Sequence, residues 1–201
     1  MLTAKETKGG DYKPIPEGVH RAVCVWLYDL GTHYNEKFKK SERKVLVGWE
    51  LPDEIIDTED GPRPLMISKR YTLSLHEKAA LRHDLQAWRG RAFTKEELDG
   101  FDLHNILGKP CQIQVVHNTE GEKTYSNIAA IMALPKGTPP PPHTGALMSF
   151  DMDGSDALPE GTPKWVAEFI SKSAEWSESN QATADTPGTP ARAASCDEAP
   201  F

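Results

Sequence analysis

Residues 65–90 read Leu-Met-Ile-Ser-Lys-Arg-Tyr-Thr-Leu-Ser-Leu-His-Glu-Lys-Ala-Ala-Leu-Arg-His-Asp-Leu-Gln-Ala-Trp-Arg-Gly, and within them the spacing of the apolar residues changes once. From Leu65 to Ser74 it is two, with Ile67, Tyr71 and Leu73 on one side and Ser68, Arg70 and Thr72 on the other, as in a half-buried strand. Further on it is helical: Leu81, Leu85 and Trp88 recur up to Gly90, a residue suited to stopping a helix. Ser74 followed by Glu77 forms a capping box and sets the expected helix start. A strand therefore hands over to a helix here, and the elements on either side decide the architecture.

Upstream, Gly18–Tyr28 alternates as a strand, with Val19, Val23, Val25 and Leu27 expected inward and His20, Cys24, Trp26 and Tyr28 on the other side. Arg43–Leu51 alternates again, burying Val45, Val47, Trp49 and Leu51. Downstream, Thr94 and Glu97 repeat the capping box over a short helical turn that ends before Gly100. Two further strands, Cys111–His117 and Thr124–Met132, are joined by a hairpin turn at residues 118–121. Three strands, a helix and two strands is the element order of the OB-fold, a five-stranded, partly open Greek-key barrel with its helix between strands 3 and 4. The expectation is a mainly β, OB-fold-like barrel over residues 12–136, after a flexible N-terminus at 1–11. Another small β-barrel or an α+β domain shares the same order.

Charge separates the rest of the chain. Residues 1–136 hold 20 Lys/Arg and 20 Asp/Glu, whereas residues 137–201 hold 3 and 10, so the whole net charge of -7 lies after residue 136. Nine of the 16 prolines fall there too. Such a composition buries little apolar surface to offset the entropy of ordering. Residues 137–195 are expected to form an acidic, largely disordered linker, with one short helix at 163–176. In that helix Thr162 caps, Pro163 opens the first turn, and Trp165, Val166, Phe169 and Ile170 form an apolar stripe in need of a surface.

No chemistry is announced. The chain has no Gly-rich phosphate loop, no His-Glu-x-x-His and no Gly-x-Ser-x-Gly elbow, so no catalytic residue, cofactor or metal site is expected. The acidic run Asp53, Glu54, Asp57, Glu59 and Asp60 sits beside Pro52, Gly61 and Pro62 and reads as a solvated loop. Three cysteines, Cys24, Cys111 and Cys196, lack metal spacing and suggest reduced thiols. With no apolar leader before Pro16 and no membrane-length apolar run, the expected setting is the cytoplasm.

Binding a single nucleic-acid strand needs cations for phosphates and flat side chains for bases. The segment His33-Tyr34-Asn35-Glu36-Lys37-Phe38-Lys39-Lys40 carries both, and Arg43 and Lys44 continue the charge. Lys69, Arg70 and Tyr71 follow one another in the third strand, where Tyr71 is equally a core residue. Trp26 is a further stacking candidate, and Lys123 and Tyr125 are candidates near the last hairpin. Trp49 and Trp88 read as core. The neutral balance of residues 1–136 counts against nucleic acid, since such domains tend to be basic.

The final residues, Cys196-Asp197-Glu198-Ala199-Pro200-Phe201, offer two acids, a rigid proline and an aromatic ring to a basic, apolar pocket. With the element order and the basic, aromatic loop, this tip resembles that of single-stranded DNA-binding proteins of bacterial and phage type, in which acids precede Ile-Pro-Phe. Here Ala199 stands at the isoleucine position. The resemblance implies a protein that coats single-stranded DNA during replication, recombination or repair and recruits partner enzymes through Asp197, Glu198, Ala199, Pro200 and Phe201; the tail helix leaves open packing on its own barrel, self-association into a homo-oligomer or docking to a partner. The rival reading is a protein-interaction module that binds no DNA and competes for enzymes that read such tips.

Overall fold

A computed structural model describes residues 14–58, 61–121, 123–154 and 157–177. The strands are β1 (Gly18–Asn35), β2 (Lys40–Thr58), β3 (Gly61–Thr72), β4 (Pro110–Glu120), β5 (Lys123–Met132) and β6 (Met148–Phe150). The helices are α1 (Ala80–Arg89), α2 (Lys95–Asp99) and α3 (Lys164–Ile170), with a 3₁₀ turn at Leu103–Ile106. The sheet runs β3-β2-β1-β4-β5 through antiparallel pairs, and β6 adds to β1 in parallel. It does not close: β3 and β5 approach one another without ladder hydrogen bonds, and α1 lies against both.

The first strand runs much further than Tyr28 because the chain bends twice and keeps pairing. Register shifts fall between Cys24 and Trp26 and between Asp29 and Gly31. A bulge moves the following side chains to the opposite face. This corrects part of the expected facing of β1: Leu27 enters the main core as expected, but so do Ala22 and Cys24 from the other side, while Val19 is exposed. The second strand meets expectation, since Val45, Val47, Trp49 and Leu51 all enter that core. Asp53, Glu54 and Asp57 of the acidic run lie in β2 and not in a loop, while Glu59 and Asp60 lie outside the described residues. Strands β2 and β3 continue as a hairpin to Thr58 and Gly61, with Asp53 paired to Arg21 and Glu54 to His20.

The main core is closed by α1, whose Leu81, Leu85 and Trp88 are buried as their spacing requires. The Trp88 indole N–H donates to the Pro110 carbonyl at 2.9 Å. Gly90 ends the helix in the left-handed conformation at φ 66°. The start differs from expectation. Ser74 Oγ accepts from the His76 N–H, forming a local turn, and the helix begins only at Ala80 with Ala79 at its N-cap. The second box behaves as its spacing predicts, with Thr94 and Glu97 capping α2 reciprocally.

The largest correction concerns the expected linker. Residues 143–154 and 157–177 form a strap across the outer face of β1 and β2. Phe150, Val166 and Ile170 pack there against Tyr28, Leu30 and Leu46, with Trp26, Met148, Met152, Leu158, Phe169 and Trp176 at the margin. A few well-placed apolar residues suffice because the sheet offers a second apolar face for them to cover. Helix α3 starts one residue later than Pro163, which sits at its N-cap, while Thr162 Oγ1 donates to the Pro159 carbonyl instead of capping.

Polar contacts fasten the strap. Glu50, fully buried, accepts from the N–H groups of Thr144 and Gly145 at 2.8 and 2.7 Å. The Glu175 carboxylate accepts from the Thr32 N–H and hydroxyl at 2.8 and 2.6 Å. Two glycines make room: a Cβ on Gly31 would lie 2.5 Å from Ser173 Cβ, and one on Gly48 would lie 2.9 Å from the Trp26 ring. Among the described residues no helix is long and apolar enough to cross a membrane.

Candidate nucleic-acid interface

The β1–β2 hairpin presents its aromatics as expected, though as the end of two long strands and not as a loop. Asn35 Oδ1 accepts from the Lys37 and Phe38 N–H groups, and Lys39 closes the turn at φ 48°. Tyr34 and Phe38 are 64% and 61% exposed, which leaves both rings open to a ligand. Lys37 and Lys40 place their ammonium groups 5.6 and 5.9 Å from the Phe38 centroid, and Lys39 is exposed beside them.

Beside this hairpin, a groove of about 860 Å³ runs between β2, β3, the segment leading into α1, and α3. Lys40, Lys44, Arg70 and Lys78 line it, with His76, Thr72, Ser74 and one acid, Glu42. Glu42 holds Lys40 at 2.7 Å and Lys44 at 2.5 Å, and these two ammonium groups pull its carboxyl down to about 2. Four cations against one anion leave the groove positive within a chain that is negative as a whole. Lys40 belongs both to the groove wall and to the cation pair around Phe38, so hairpin and groove adjoin. Phe169 of α3 supplies an aromatic wall, 4.9 Å from the Arg70 guanidinium and 4.3 Å from the His33 ring.

Other expected contacts are committed elsewhere. Arg43 is paired to Asp29 and, at 2.8 Å, to Asp153 of the strap, so its charge is spent inside the fold. Lys69 is paired to Asp84 at 2.7 Å and lies over the Tyr71 ring. Tyr71 is only 4% exposed and donates its hydroxyl to Asp84 at 2.7 Å; burial and the neighbouring carboxylate push its pKa up. It borders the groove as part of the core and has no free face for a base. Trp26 lies half-buried under the strap, edge-on to Tyr28 at 6.2 Å. Lys123 and Tyr125 are exposed, but β4 and β5 carry them past the Gly18 end of β1, away from the hairpin. The residues from Asp197 to Phe201 lie outside those described.

Sequence reasoning missed Lys78, His76 and Phe169. The first two were read as helix, and only the late start of α1 places them on the groove wall. Phe169 was visible as part of an apolar stripe, yet nothing local says that its neighbours turn inward while it faces the groove. Among the described residues no group of three His, Cys, Asp or Glu is placed to hold a metal ion. No protein-family model matches the chain, and no curated protein matches it.

Proposed function

We propose that the chain binds single-stranded DNA without strong sequence preference, along the groove and the adjoining hairpin tip, as a strand-coating protein of replication or recombination. The observation that carries this reading is the convergence of Lys40, Lys44, Arg70 and Lys78 on one groove flanked by the rings of Phe38 and Phe169. Cations for the phosphates and rings for the bases are the two ingredients of a sequence-tolerant single-strand site. The strand order β3-β2-β1-β4-β5, with α1 between β3 and β4, supports reading the domain as a partly open OB-fold. In such barrels, strands 2 and 3 and the loop after strand 1 face the nucleic acid, and the lining of the groove by β2 and β3 residues supports the same reading. Residues 197–201 are the proposed contact for partner enzymes.

One observation favours the rival, a protein-interaction module. Arg43 and Lys69, two of the expected phosphate contacts, are held by carboxylates, Lys40 and Lys44 share Glu42, and the charge up to residue 136 is balanced. A labelled oligo-dT read by anisotropy, beside a duplex of equal length, separates the two, because no tryptophan lines the groove to report binding itself. Single-strand binding should weaken with salt by about 0.7 log units per log unit of salt for each phosphate contact, hence a slope of about −3 for four cations. Replacing Arg70 and Lys78 together by Glu should abolish it. If oligo-dT does not bind at low salt, the protein-interaction reading takes over.

A further inference from the structure

We propose that Phe169 is the base-stacking platform of the groove, which makes the strap part of the ligand site and not a tether attached to it. This rests on the reading above that the groove takes a single strand. Helix α3 is fixed by Val166 and Ile170, both fully buried in the outer cluster. At 3.6 residues per turn, Phe169 then falls at the edge of that buried stripe. There it is half-buried and lines the groove. The His33 ring, 4.3 Å away and tilted by 42°, holds the phenyl group, while the Arg70 guanidinium lies over it at 4.9 Å and moves to a phosphate when a base takes its place.

The other stacking candidates near the groove are unsuited to the role. Tyr71 is buried and hydrogen-bonded to Asp84, and Trp26 lies beneath the strap. Phe38 and Tyr34 stand outside the groove on the hairpin. A cavity of about 860 Å³ is within the range that takes a small ligand such as a nucleotide unit. A base on the Phe169 ring leaves its flanking phosphates to Arg70, Lys44, Lys40 and Lys78. Energetic reciprocity adds a second consequence: a strand that leans on Phe169 must also hold the strap in place.

The test compares Phe169→Ala, Phe169→Leu and Phe169→Trp with Trp165→Ala, a change at an exposed residue of the same helix. Binding is read by anisotropy of a labelled oligo-dT at low salt, and docking of the strap by limited proteolysis. Phe169→Leu keeps an apolar side chain but loses the ring, and should weaken binding about 10-fold with the strap still protected. Phe169→Trp should bind at least as well as the parent, and Trp165→Ala should change nothing. Oligo-dT should slow cleavage within residues 157–177 of the parent chain and have less effect in Phe169→Leu. If Phe169→Leu binds as tightly as the parent while the Arg70 and Lys78 double variant fails, the groove stands and the stacking role falls. If the parent itself does not bind, the single-strand reading has failed first.

Discussion

The inner and outer faces of β1 and β2 both bury large apolar side chains, by different means. On the inner face, nineteen buried residues from five strands, α1 and the adjoining loops interlock, and most belong to segments whose own periodicity points them inward. On the outer face six buried residues meet, three from the sheet and three from the strap, and buried polar contacts do much of the joining. The inner cluster therefore defines the fold, while the outer one is a docked layer with a smaller, separable stability. Local unfolding follows such divisions.

The most direct way to break this distinction is to damage each side in turn. Trp49→Ala empties a fully buried site of the inner core and should cost about 3–5 kcal/mol, read as a fall in the urea midpoint of the whole chain. Loss of the strap's protease protection should coincide with that transition. Ile170→Ala removes a fully buried side chain of the outer cluster and should cost about 2–5 kcal/mol of strap docking. Residues 157–177 should then become cleavable in conditions where circular dichroism still reports an intact sheet. If Ile170→Ala instead lowers the global midpoint as far as Trp49→Ala does, the two layers are one cooperative unit.

Alkali probes the same division more gently. Burial pushes the Cys24 thiol from its ordinary 9.0 up to about 12 and raises Cys111 likewise, and both lie in the inner core. The unfolded chain releases these protons first. The contribution of each thiol is therefore complete below pH 9 and is lost as pH rises above 9.0, for Cys24 towards 12. The melting temperature of the chain should fall across that window, and Cys24→Ala should show a shallower fall between pH 9 and 11. A variant as steep as the parent would place the loss elsewhere.

Much of the inner layer was legible because its signals are local. The alternation of Val45, Val47, Trp49 and Leu51, the stripe Leu81, Leu85 and Trp88, and the Thr94–Glu97 box each need only a few neighbouring residues. The facing of β1 was not legible, because a bulge at Val25 shifts the register without any mark in composition. Ser74 and Glu77 mimic a capping box, but Ser74 bonds instead within a turn, which competes with helix initiation. The strap escaped notice for another reason: its acidity and prolines suggest disorder, while its partners Tyr28, Leu30 and Leu46 lie more than a hundred residues earlier. Pairing between separate elements hid the candidate site. Lys40, Lys44 and Arg70 were recognisable as cations, but only the folded arrangement puts these three on the groove while Arg43 turns to Asp29 and Asp153 and Lys69 to Asp84.

Strand β1 shares one of its edges between two partners, β4 along Gly18–Val23 and β6 along Trp26–Tyr28. The first arrives with the rest of the main sheet and the second only when synthesis has passed residue 150. Until then a nascent chain displays, side by side, a short row of unpaired backbone groups and the greasy face of Tyr28, Leu30 and Leu46, the combination that invites strands from neighbouring chains to add on. Docking of the strap covers both at once, so a variant that loosens it should aggregate more readily during refolding than the parent chain.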